Sequence, residues 1–125
     1  MGVETAIVTR AGAYSGLNTL ISGRIYPDVA PQKPTAPFVI YQEISALPFH
    51  AMNNTPRTTF RYQFDAYATT KTGAVALAVQ VIAAFNFFSD ATIAACLLDD
   101  GASEVTELDK IAQLYRSRRD FKITA

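Results

Sequence analysis

The sequence predicts an α+β domain, a mostly antiparallel four-stranded sheet flanked by two helices in the order α-β-β-α-β-β. Three observations carry this. Two long segments alternate with period two, two others repeat apolar residues at spacings of three and four, and turn formers separate the strands of each pair. At 125 residues a single domain is expected, spanning 1–125.

Residues 3 to about 21 read as a helix. Val3, Ile7, Ala11, Tyr14, Leu17 and Ile21 fall on one face. Gly12 allows a break, since glycine costs roughly 1 kcal/mol against alanine in a helix interior. Gly23 stands where a C-terminal cap belongs. Pro27, Pro31, Pro34 and Pro37 follow, four of the chain's six prolines. Each fixes φ near −65° and lacks an N–H, so this stretch is neither helix interior nor central strand. It is a stiff connector into the next strand.

Phe38 to Ser45 reads as a strand, with Phe38, Ile40, Gln42 and Ile44 on one face. Residues 46–56, with Pro48, Asn53, Asn54 and Pro56, read as a long hairpin loop. Arg57 to Ala68 is the clearest strand. Phe60, Tyr62, Phe64 and Ala66 alternate with Arg61, Gln63, Asp65 and Tyr67.

Thr70 or Thr72 caps a second helix that runs to about Phe88. Leu77, Val81, Ala84, Phe85 and Phe88 form its main stripe; burying the four large members is worth roughly 6–12 kcal/mol. Val75, Val79 and Ile82 form a second stripe. Apolar residues nearly all round a helix imply burial on more than one side. The second stripe either packs under the first helix or meets another subunit. Ala91 to Leu98 reads as a third strand, Asp99 to Asp109 as a loop, and Gln113 to Thr124 as the last strand. In that strand Arg116, Arg118, Asp120 and Lys122 share one face, while Ser117, Arg119, Phe121 and Ile123 share the other.

The chain is poor in chemistry-bearing patterns. Its one cysteine, Cys96, lies in an apolar run and reads as a buried thiol, which fits a reducing compartment. Its one histidine, His50, falls in the predicted loop without metal-ligand spacing. Glu43 and Asp65 lie on adjacent predicted strands, either as a carboxylate pair or as two solvated side chains. No nucleophile elbow, phosphate loop or zinc-helix motif is present. The expectation is a non-enzyme without metal or cofactor. The longest apolar segment, Ala74 to Phe88, is too short to span a bilayer, so no membrane partner is expected.

Charge is neutral overall, with eleven acids and eleven bases, but it is separated locally. Asp99, Asp100, Glu104, Glu107 and Asp109 form an acidic segment without a base. Lys110, Arg116, Arg118, Arg119 and Lys122 stand against Asp120 alone. These are either two solvated surfaces or complementary patches between subunits, with an arginine-lined surface near DNA as a further use.

Four runs together resemble a known family: Gly23-Arg24-Ile25-Tyr26-Pro27; then Ala30-Pro31-Gln32, Pro34 and Pro37 leading into Phe38-Val39-Ile40-Tyr41-Gln42; then Phe60 to Ala68; then Leu114 to Ile123. In this order they resemble the small tail-completion or tail-terminator proteins of long-tailed (siphovirus-type) phages and related gene transfer agents. The resemblance implies a ring, six subunits in the family, that caps the tail tube, ends its polymerisation, joins tail to head and leaves a channel for DNA. It implies the tail tube protein and a head-completion or connector protein as partners, and the virion as location, reached through the host cytoplasm during assembly. A head-closure or adaptor protein, and a small α+β ligand-binding domain or enzyme, are the alternatives.

On the residues themselves, Val75, Val79 and Ile82, the acidic residues Asp99, Asp100, Glu104, Glu107 and Asp109, and Arg119 are the candidate intersubunit contacts. Arg116 and Arg118 are the candidates for facing DNA. A closed ring needs two different patches per subunit.

Overall fold

The computed structural model describes residues 2–29, 35–50, 56–98, 106–109 and 114–125, and for residues 49, 50, 56 and 106–109 the backbone only. The elements are α1 (Val3–Ala13), α2 (Ser15–Ile21), β1 (Ile25–Pro27), β2 (Phe38–His50), β3 (Pro56–Ala68), α3 (Lys71–Phe85), β4 (Ala95–Leu98), β5 (Thr106–Asp109) and β6 (Leu114–Thr124).

The first helix is broken, so the described residues form three helices where two were expected. The break falls at Tyr14, whose backbone is extended at φ −89° and ψ 105°. Tyr14 closes α1 by donating its N–H to the Arg10 carbonyl, and its own carbonyl accepts the N–H groups of Leu17 and Asn18 in α2. The chain leaves α2 through two left-handed residues, Ser22 (φ 49°) and Gly23 (φ 79°). Asn18 receives both, with its carbonyl for Ser22 N–H and its side-chain Oδ1 for Gly23 N–H.

The sheet is larger than expected and mixed. Among the described residues six strands stand where four were expected, in the order β1-β2-β3-β6-β4, with β5 also on β6. The addition at one edge is β1, drawn from the start of the proline-rich stretch. It runs parallel to β2, with Tyr26 opposite Ile40. Pro27 is tolerated because this short strand is an edge and needs no donor there. Arg24 ties the entry down by donating Nε to the Pro37 carbonyl at 3.0 Å.

At the other edge, β4 and β5 lie end to end along β6. Leu98 pairs with Phe121 and Thr106 with Ser117, both antiparallel. The predicted acidic loop therefore contains a strand, and the predicted third strand is shorter, beginning at Ala95. The predicted hairpin loop is also largely strand. The β2–β3 ladder continues to the pair His50–Pro56, interrupted by a bulge between Glu43 and Ser45. That bulge leaves Ile44 without a register partner and ends the alternation expected through it.

One face of the sheet carries the helices. Val39, Tyr41, Tyr62, Phe64, Ala66, Phe121 and Ile123 meet Ile7, Leu17, Ile21, Leu77, Val81 and Phe85 in one core. Phe64 is its centre, with ring centroids 4.9 Å from Phe85 and 5.3 Å edge-on to Phe121. The helix α3 starts on Thr70, whose side-chain oxygen accepts the Gly73 N–H. It ends at Phe85, three residues before the expected Phe88, and Asn86 Oδ1 then accepts the Leu98 N–H, binding this exit to β4.

Candidate assembly surfaces

The face of the sheet away from the helices carries packed aromatic rings, Tyr26, Phe38 and Tyr67, toward the β1 edge and ion pairs at its middle. Arg118 Nε lies 3.1 Å from Asp65 Oδ1, and an Arg61 Nη2 lies 3.3 Å from Asp120 Oδ2. Gln63 donates to the second oxygen of Asp65. Both carboxylates are buried, each at 7 % exposure, which makes their pairing obligatory in energetic terms. The alternative of a solvated Asp65 is thereby corrected. Glu43 instead lies on the helix-side register, opposite Tyr62, whose hydroxyl donates to it. The strands thus send Glu43 and Asp65 to opposite faces, and no carboxylate pair forms.

The last strand distributes its charges as its alternation requires. Arg118 is in register with Asp65, and Arg116 with Tyr67, on the outer face. Arg119 is in register with Phe64 on the helix side. Its guanidinium folds back on its own strand, donating to Ser117 Oγ at 3.0 Å and to the Arg118 carbonyl at 2.7 Å. Glu107 and Asp109 sit on β5, opposite Arg116 and Leu114 in register. Asp99, Asp100 and Glu104 lie outside the described residues, as does Lys110.

The second stripe of α3 is not covered within the subunit. Val75 is 39 % exposed and Val79 52 %, while Ile82 is half-buried against the core. Of the two alternatives for this stripe, packing beneath the first helix is not what the structure has. Both α1 and α2 sit on the other flank of α3, where Arg10 Nε donates to the Ala84 carbonyl and Gln80 lies against Gly16. By helical periodicity the stripe falls on a different side of α3 from Gln80 and Ala84, and α3 also approaches β4 and β5.

Among the exposed apolar residues that escaped the sequence reading, Ile44, Leu47 and Phe87 bear on assembly. Ile44 and Leu47, 47 % and 69 % exposed, stand on the β2–β3 hairpin. Assigning 46–56 to a loop hid Leu47, although the β-propensity of Phe49 and Phe60 around it was a usable signal; Ile44 was read as strand, and the bulge that sets it apart was not. Phe87 is 78 % exposed and left-handed at φ 66°, just past α3. Its N–H is held by the Cys96 carbonyl at 2.7 Å.

Cys96 itself is fully buried, and burial pushes its thiol up to about 12. Burial, with Glu4 and Glu43 nearby, also raises the Tyr62 hydroxyl. Glu4, Thr5, Val8, Thr9 and Tyr41 border an open depression between α1 and β2. Among the described residues no cluster of three metal-ligating side chains occurs, and no helix is long and apolar enough to cross a membrane.

These features describe a small α+β domain with one helical layer, a buried salt-bridged outer face and apolar patches on its flanks. The chain belongs to the family of the tail completion protein gp17, whose model matches residues 5–123. Among solved structures it is similar to a chain of the virion of a native gene transfer agent (GTA) particle. That likeness has a TM-score of 0.71 at 15 % identity and covers 98 % of this chain and 93 % of the other, which shows a shared fold. No curated protein matches the chain by sequence.

Proposed function

We propose that this tail completion protein acts as a non-enzymatic ring subunit. Six copies close around the end of the tail tube, end its polymerisation and join tail to head, leaving a channel for DNA. Membership of the tail completion family over nearly the whole chain carries this reading. The fold shared with a chain of a gene transfer agent virion supports it. In this reading the ring works in the virion at the head–tail junction, after assembly in the host cytoplasm. The partners are the tail tube protein, a head-completion or connector protein, and transiently double-stranded DNA.

The ring uses two patches per subunit. In this reading Val75, Val79 and Ile82 supply one, together with the acidic residues Asp99, Asp100, Glu104, Glu107 and Asp109 and with Arg119 of the last strand. Arg116 and Arg118 lie on the face assigned to the channel. Electron microscopy of the purified protein tests the reading, with six-fold rings as the expected image. Monomers that also fail to bind the ends of purified tail tubes would sink it. Binding to isolated head connectors in place of tubes would favour a head-closure or adaptor role.

A further inference from the structure

We infer that the β2–β3 hairpin of one copy docks on the α3–β5 flank of the next, so that the hairpin is the arm and the valine stripe the seat of each ring contact. This rests on the ring reading above. Four observations support it.

First, the hairpin extends beyond its sheet neighbours. On one side β1 pairs β2 only as far as Tyr41, and on the other the β3 contacts with the last strand end at Thr58 and Ala125. The backbone of β2 past Tyr41 therefore has no sheet neighbour on its outer edge among the described residues. Second, this arm carries apolar side chains that its own core does not use. Leu47 is 69 % exposed and Ile44 47 %. The bulge after Glu43 leaves Ile44 out of the ladder altogether.

Third, the seat is apolar and uncovered at Val75 and Val79 on α3, a helix that approaches β3, β6, β4 and β5, while β2 lies toward the other side of the sheet. An arm and a seat on opposite sides of one subunit cannot both be satisfied by a two-fold dimer through the same pair of surfaces. They repeat head to tail, which is the arrangement that closes into a ring. Fourth, the charges match. Residues 44–60 contain Arg57 and no carboxylate, whereas β5 beside the seat contributes Glu107 and Asp109 and no base. A second copy of this chain is thus a fitting occupant on both apolar and electrostatic grounds.

Two variants test the arrangement, Leu47→Glu, which disables the arm, and Val79→Glu, which disables the seat. Both positions are exposed, so circular dichroism and melting should match the parent. Each variant alone should run as a monomer on sizing with light scattering. Mixed in equal amounts they should give a heterodimer and nothing larger, because one intact arm and one intact seat remain per pair. As a second measurement, a chain carrying both Leu47→Cys and Val79→Cys is treated with a short bismaleimide. Cys96 is fully buried and should stay silent. A covalent ladder ending at the ring size is expected, with no product from either single cysteine variant. Wild-type rings that survive both glutamate substitutions, or dimers from a single cysteine variant, would overturn the arm-and-seat contact while leaving the ring intact. Absence of any wild-type ring, alone or on tail tubes, would overturn the ring reading instead.

Discussion

Arg118 donates from Nε to Asp65 Oδ1 at 3.1 Å, and the two are direct register partners across the β3–β6 ladder. The pair spans 53 residues of sequence, so it clamps the middle of the sheet rather than a local turn. Asp65 is nearly enclosed, with 10 % of its side chain exposed, against 37 % for Arg118. A half-enclosed pair of this kind is worth more than a surface bridge and less than a fully buried one.

Arg118→Ala should therefore cost about 1–3 kcal/mol of stability, because it strands the Asp65 carboxylate with only the Gln63 amide. Urea unfolding of Arg118→Ala, Asp65→Ala and the double variant should give a coupling of about 1 kcal/mol. Additive losses would show that the bridge contributes nothing beyond its separate residues.

The same pairing limits any role in holding DNA. With Arg118 bound to Asp65 and Arg61 to Asp120, much of the outer face is internally neutralised. Fluorescence anisotropy with duplex DNA should give a Kd above the micromolar range at physiological salt. Its logarithmic salt dependence should correspond to about one or two phosphates. Asp65→Asn should tighten binding by releasing Arg118. Sub-micromolar binding by the wild type would contradict a channel through which DNA slides.

The start of α3 depends on one side chain. Thr70 Oγ1 accepts the Gly73 N–H at 3.0 Å, satisfying one of the first-turn donors. Thr70→Ala should lower stability by about 0.5–2 kcal/mol in urea unfolding, and Thr70→Ser should restore most of it. Equal losses for both would mean that the threonine methyl, not the oxygen, carries the effect.

Cys96 gives the fold an alkaline limit. The thiol is held protonated up to about 12, whereas in an unfolded chain it ionises near 8.5. Above about pH 9 the unfolded chain therefore binds fewer protons than the folded one, and stability falls as pH rises. The slope contributed by one such group approaches about 1.4 kcal/mol per pH unit. Cys96→Val should flatten the stability profile between pH 9 and 10, below the range in which the tyrosines add their own effect. Thiol labelling of the native wild type should proceed only as fast as the protein opens. Rapid labelling of the native protein would show that the thiol is accessible.

Much of this architecture is written in local patterns. The alternation of Phe60 to Tyr67 gives a strand with an apolar and a polar face, and the structure buries Tyr62 and Phe64 at 1 % exposure each. The alternation of the last strand separates Arg118 from Arg119, as the register shows. Thr70 was readable as a cap and Cys96 as buried. The valine stripe was readable as surplus apolar surface, but its exposure was not. A helical wheel gives the spacing of Val75 and Val79 and is silent on which flank its neighbours cover.

The sequence by itself determined the main helices and the long strands, most of the side chains that share a face in them, and which family the chain resembles. These are properties of backbone geometry and neighbouring residues, repeated every two or three to four positions. Only the tertiary structure decided that β1 joins the sheet in parallel, that a strand lies within the acidic segment, and that the supposed loop is an apolar arm. It alone paired Arg118 with Asp65 and placed α1 and α2 on the far flank of α3. Each of these is a contact between segments distant in the chain. Such contacts are selected by competition among many possible partners for the same buried surface, and no local period records the outcome.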